Sequence, residues 1–103
     1  MKYSKVVAIM SITDYALVST SIQKLDVPGI TVSMVKGFGD YINEFNNFGF
    51  SDSMKIEVYT SDQHAEKIAE TLSTLANEMT EGGGVIAIEP VNKLFNLKKL
   101  TCQ

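Results

Sequence analysis

The chain has no tryptophan, one cysteine and one histidine. A single cysteine closes no internal disulfide, and one cysteine with one histidine cannot furnish a structural zinc site. No apolar run approaches the roughly 20 residues that a membrane-spanning helix requires. Met1-Lys2-Tyr3-Ser4-Lys5 leads into only a short apolar stretch with no small-residue cleavage pattern, which is not how a signal peptide reads. Positive charge is also in deficit, with 9 basic against 12 acidic residues and a formal net charge of -3. That balance argues against a general nucleic-acid binder, which presents a basic face. The expectation is a soluble cytoplasmic domain. A chain of 103 residues is one domain. Such a domain buries only about two-thirds of the surface its unfolded chain exposes, so support from an oligomer is expected.

What is present is a regular succession of apolar patterns. Val6-Val7-Ala8-Ile9-Met10-Ser11-Ile12 is apolar at almost every position, as in a strand covered on both faces. Thr13 and Asp14 start a helix, whose stripe is Tyr15, Val18, Ile22 and Leu25. Asp26-Val27-Pro28-Gly29 ends it, and Ile30–Val35 forms a second strand. Residues 37–53 mix glycine, asparagine and aromatics without a period and read as a long loop, a rare feature that tends to be functional or disordered. Met54–Tyr59 alternates strictly, a third strand. Ser61 and Asp62 cap a second helix with the stripe Ala65, Ile68, Leu72, Leu75, Ala76 and Met79. Gly82-Gly83-Gly84 ends that helix. Val85–Glu89 is a fourth strand stopped by Pro90, and Lys93–Lys98 suggests a short fifth edge strand.

The order β-α-β-β-α-β is the split βαβ, or ferredoxin-like, plan of an α+β domain. Right-handed crossovers put both helices on one face of the antiparallel sheet. The first strand, however, turns Val6, Ala8 and Met10 to one side and Val7 and Ile9 to the other. Two helices cover only one set. The second apolar face is therefore expected to meet another chain, since patches of that size rarely stay wet.

Individual residues admit plain readings beside functional ones. Gly37 and Gly39 serve a strand exit or a close approach of backbone to phosphate. Gly82, Gly83 and Gly84 cap a helix, with or without an added binding role. Phe38, Phe45, Phe48 and Phe50 pack the loop onto the body or form a docking surface; docking is favoured, because four aromatics in a polar loop are hard to hide in a small domain. His64 reads as a surface histidine, Cys102 as a free tail thiol, and Lys93, Lys98 and Lys99 as a solvated face. The methionines fall mostly on apolar faces and fill core. No nucleophile stands beside a base, and no carboxylate pair or metal cluster is visible, so no enzyme is expected.

Three segments carry a resemblance. Val27-Pro28-Gly29-Ile30-Thr31-Val32-Ser33-Met34-Val35-Lys36-Gly37-Phe38-Gly39 resembles the second-strand signature of the PII signalling proteins. Met54-Lys55-Ile56-Glu57-Val58 is similar to the strand after their T-loop, and Gly82–Val91 to their B-loop and fourth strand. The resemblance spans about residues 1–98, leaving 99–103 as a tail, with a shortened T-loop over 40–52 and a B-loop over 80–84. It implies a homotrimer with inward-facing sheets. It also implies an adenine nucleotide (ADP, AMP or ATP) bound in clefts between subunits and a protein partner, such as a membrane transporter, engaged by the 40–52 loop. In that scheme Thr31, Gly37, Phe38, Gly39, Glu57, Gly82, Gly83, Gly84 and Lys98 line the nucleotide, and Tyr41, Phe45, Phe48 and Phe50 meet the partner. Recruitment to the membrane would follow from a transporter partner. No metal and no nucleic acid are implied.

The departures from the family pattern also count. The loop is short and lacks the tyrosine-bearing modification motif. Tyr41 stands where the family has a glutamine that helps hold Mg-ATP and 2-oxoglutarate, so 2-oxoglutarate sensing by that route is not expected. Thr80 and Val85 replace B-loop lysines, Asn96 replaces an arginine, and Lys98 stands in place of another. Each lost cationic contact removes a bond worth roughly 1.5–3 kcal/mol, which favours ADP, AMP or no nucleotide over a triphosphate. Two other classes of function stay open: a trimeric adaptor that has lost the nucleotide, and a CutA-like metal-tolerance protein, against which the single histidine counts.

Overall fold

In the computed structural model, residues 2–11, 16, 20–21, 23–24, 27, 29–37, 51–79 and 84–97 are described. Strand β1 (Tyr3–Ser11) lies inside a four-stranded sheet with β2 (Thr31–Gly37), β3 (Ser51–Ser61) and β4 (Gly84–Val91), in the order β2-β3-β1-β4. Every pairing is antiparallel. Register fixes which residues share a face. Val6 lies opposite Val58 and Ile88, Ala8 opposite Ile56 and Ile86, and Met10 opposite Met54 and Gly84.

Helix α1 (Asp62–Met79) follows β3 without a gap. Its residues Ala65, Ile68 and Leu72 recur at three- and four-residue steps and join Val6, Ala8, Met10, Met54, Ile56 and Val58 in one buried cluster. Leu75 and Ala76 are partly buried against it; the Met79 side chain lies outside the described residues. Leu72 is fully buried, a gain of about 1.5–3 kcal/mol over an exposed position. The start of α1 is tied to the start of β1. The Asp62 amide donates to the Lys2 carbonyl at 3.0 Å, and the Ser4 hydroxyl donates to Asp62 Oδ1 at 2.5 Å. These bonds satisfy one of the amides that a helix leaves unpaired at its first turn and hold an acidic side chain where the helix dipole favours it. Ser61 Oγ and His64 Nδ1, 2.8 Å apart, link the strand end to the first turn.

Between β1 and β2 the described residues Ala16, Thr20, Ser21 and Gln23 are helical, and the Thr20 hydroxyl donates back to the Ala16 carbonyl at 2.8 Å. The stripe Tyr15, Val18, Ile22 and Leu25 falls outside the described residues. Val27, Ile30 and Val32 pack against the core cluster.

The ferredoxin-like plan is observed, with differences in the extent of its strands. β1 begins at Tyr3. β2 runs on to Gly37, and β3 takes in Ser51, Asp52 and Ser53, so the ladder reaches Gly37↔Ser51 and the connecting segment shrinks to 38–50. The expected loop boundary of 52 thus lies inside a strand, where the Lys36 ammonium donates to Asp52 Oδ1 at 2.7 Å across the pair. Pro90 does not stop β4; it pairs opposite Ser4, and β4 is an edge strand, where a residue without an N–H is tolerated. The fifth strand is not observed: Lys93–Asn96 have no regular structure and Leu97 is helical.

Gly84 begins β4 with φ +145°, and a Cβ there would stand 2.6 Å from the Ile9 carbonyl oxygen. Gly29 has nothing within 4 Å of the same added atom. Gly84→Ala is therefore expected to lower stability by about 2 kcal/mol, and Gly29→Ala to leave it nearly unchanged. Urea denaturation checks both; equal midpoints for the two variants would contradict the crowding at β4.

Candidate functional site

The core takes the even-numbered side chains of β1 and β3. The odd-numbered ones face the other way, where no described helix lies. This face is divided by chemistry. Its β1–β4 half is apolar at one end, where Val7 is buried opposite Ala87 and Ile9 is half-buried opposite Val85, itself 42% exposed; further along, Lys5 lies opposite Glu89. Its β2–β3 half is polar, with Thr31 opposite Glu57, Ser33 opposite Lys55, and Val35 opposite Ser53.

The strongest electrostatic contact on the face joins the halves. Lys5 Nζ and Glu57 Oε2 are 2.9 Å apart, with side chains 23% and 21% exposed. The hydrogen bond from Lys5 holds the Glu57 carboxyl below its ordinary value; burial opposes the shift, and the charges of Lys5 and Lys55 add to it. In return the bond to Glu57 raises Lys5 against its own desolvation, with the charges of Glu57, Tyr59 and Glu89 assisting. Glu57 is the group that the resemblance places against a ligand. One bond from Lys5 leaves a carboxylate with free lone pairs for another donor.

The structure brings four of the expected ligand residues into view. Thr31 begins β2, exposed and directly opposite Glu57. Gly37 ends β2, and Gly84 opens β4 opposite Met10. Gly37 and Gly84 thus lie toward the end of the sheet where β1 and β2 finish and β3 and β4 begin, with Thr31 and Glu57 further along the same sheet. Phe38, Gly39, Tyr41, Phe45, Phe48, Phe50, Gly82, Gly83 and Lys98 lie outside the described residues. The crowding at Gly84 also gives that glycine a structural role of its own, so substituting it is not a clean probe of binding.

Residues 3–99 match the sequence model of the family described as nitrogen regulatory protein P-II. The chain belongs to the P-II family. Among solved structures, the fold is similar to that of Arabidopsis thaliana PII bound to citrate, with a TM-score of 0.70 and 29% sequence identity over 94% of this chain and 84% of that one. The antiparallel four-stranded sheet with its helix matches the ferredoxin-like fold of that structure.

Two features of the face escaped sequence reasoning. Lys5 and Ser53 join the polar group only through register, which apolar patterning around them does not specify. A third was available from composition: all 9 cationic side chains are lysines. No guanidinium fork exists anywhere in the chain to grip a phosphate bidentately.

The ion pair gives a signed prediction. Glu57, held low in the folded state, contributes stability above its unfolded pKa and loses it as pH falls below about 4.3. Lys5, held high, contributes below its unfolded pKa and loses it as pH rises above about 10.4. Glu57→Gln should therefore show a shallower acid loss of stability than the parent chain, measured by thermal melts from pH 3 to pH 7. Parallel acid limbs would show that the pair contributes nothing.

Proposed function

We propose that this P-II family member is a homotrimeric signal-transduction protein that binds an adenine nucleotide between subunits and regulates a protein partner through its 38–50 segment. The carrying observation is the divided sheet face. Thr31 and Glu57 stand opposite each other on its polar half, and Val7, Ile9 and Val85 supply an apolar half of the kind that a neighbouring subunit covers. Three such faces turned inward bury the apolar halves and leave each polar half beside a neighbour, which is where a cleft ligand belongs. Glycines 37 and 84, with 39, 82 and 83 beside them in sequence, allow backbone amides close to phosphate oxygens.

Signalling requires that the ligand bind two states of the chain unequally. The 38–50 segment springs directly from the paired ends of β2 and β3, so a ligand at those strand ends biases it. Asp40 and Glu44 give the segment acidic charge, and Phe38, Tyr41, Phe45, Phe48 and Phe50 give it aromatic anchors for a partner such as a membrane transporter. Because every cation is a lysine and B-loop lysines are missing, ADP or AMP is favoured over ATP. The family resemblance assigns the remaining charge to Lys98. The chain works in the cytoplasm and reaches the membrane through its partner.

The Lys5–Glu57 pair favours a second reading, a trimeric adaptor without nucleotide, since it already gives that carboxylate a charged partner within the chain. Calorimetric titration with ATP, ADP, AMP and cyclic AMP, with and without Mg²⁺ and bicarbonate, separates the two. Sedimentation of the same sample gives the oligomer. Binding of ADP or AMP by a trimer, weakened in Lys98→Ala, is the expected result. A folded trimer that gives no heat with any nucleotide supports the adaptor, and a monomer removes both.

A further inference from the structure

We infer that the Ser53 hydroxyl is a direct contact for the phosphate group of the bound adenine nucleotide, so that β3 spans the ligand with Glu57 at the nucleoside end and Ser53 at the phosphate end. This rests on the nucleotide reading above and extends it to a residue that neither the apolar pattern nor the glycine segments single out. Ser53 is fully buried, and its Oγ is the buried side-chain polar atom among the described residues that has no hydrogen-bond partner. Native structures leave few such groups unpaired, and each calls for a cause. The core does not explain it: Ser53 alternates with Met54 and so belongs to the polar half of the other face, between Ser11 on β1 and Val35 on β2.

Its place along the strand sets what it meets. Four residues of strand separate Ser53 from Glu57, about 13 Å at the usual rise, a span comparable with an extended nucleoside phosphate. Glu57 and Thr31 face each other at one end. At the other, Gly37 lies two residues beyond Val35, and Gly84 pairs with Met10 beside Ser11. The glycines at the Ser53 end permit a close approach to the backbone, and the carboxylate stands at the far end, away from phosphate charge. A hydroxyl is a neutral donor, in keeping with a site served by lysines alone. Because Oγ is sealed, a phosphate oxygen reaches it only with local rearrangement at this end of the sheet, and the new bond offsets part of the cost of that rearrangement.

The test compares the full chain with Ser53→Ala, titrated with ADP and with adenosine and read by NMR, together with melting temperatures in the absence of ligand. ADP should bind the variant about ten-fold more weakly, adenosine should bind both proteins within about two-fold, and the variant should melt no lower than the parent. Equal ADP affinity for the two proteins overturns the inference and leaves the nucleotide reading standing. A variant that melts lower, or that weakens adenosine as much as ADP, overturns it in favour of a structural role. A parent chain that binds neither compound overturns the nucleotide reading and this inference with it.

Discussion

Alternation along β1 is the constraint on which the rest of the structure depends. A strand sends successive side chains to opposite faces, and β1 is apolar on both. Val6, Ala8 and Met10 are sealed with Met54, Ile56, Val58 and the Ala65-Ile68-Leu72 stripe of α1. Val7 and Ile9 are then committed to the other side, together with Val85 across the β1–β4 pair. No rearrangement of the helix relieves this. Sliding β1 by one residue would only exchange the two sets, and it would bury Lys5 in place of Val6.

The same alternation builds the candidate site. Because β2 and β3 pair directly, Thr31 and Glu57 share the face opposite α1, and Lys5 reaches Glu57 from β1. The site is thus a property of the sheet, and Gly37, Ser51 and Gly84 lie together toward one end of it. A surface that is apolar on one half and polar on the other suits contact with a neighbouring chain and a small ligand at once. A wholly apolar face would favour association alone.

The fold was largely legible because period-two and helical patterns survive in β1, β3 and α1. Strand ends were less so. Ser51, Asp52 and Ser53 are polar and look like loop, yet they complete the ladder because their backbone groups pair with Lys36, Gly37 and Ser11. Lys93–Lys98 alternates locally, but β4 already forms the sheet edge beside β1 and the described residues there take no strand. Pro90 misleads for a related reason, since an edge strand can carry it. At the site, Thr31, Gly37, Glu57 and Gly84 came from family resemblance. Lys5 and Ser53 required the register, which depends on the whole sheet and on no local run of residues.

The central claim is that ligand and neighbouring chain both meet the sheet on the face that carries Val7, Ile9 and Thr31. Methyl-resolved NMR of the full chain, titrated with ADP, tests it most directly. The account predicts shifts concentrated at Val7, Ile9, Thr31, Val35 and Val85, with Val6, Val58, Ile68 and Leu72 nearly unmoved. Shifts confined to the second group would place the ligand on the helix side and contradict it.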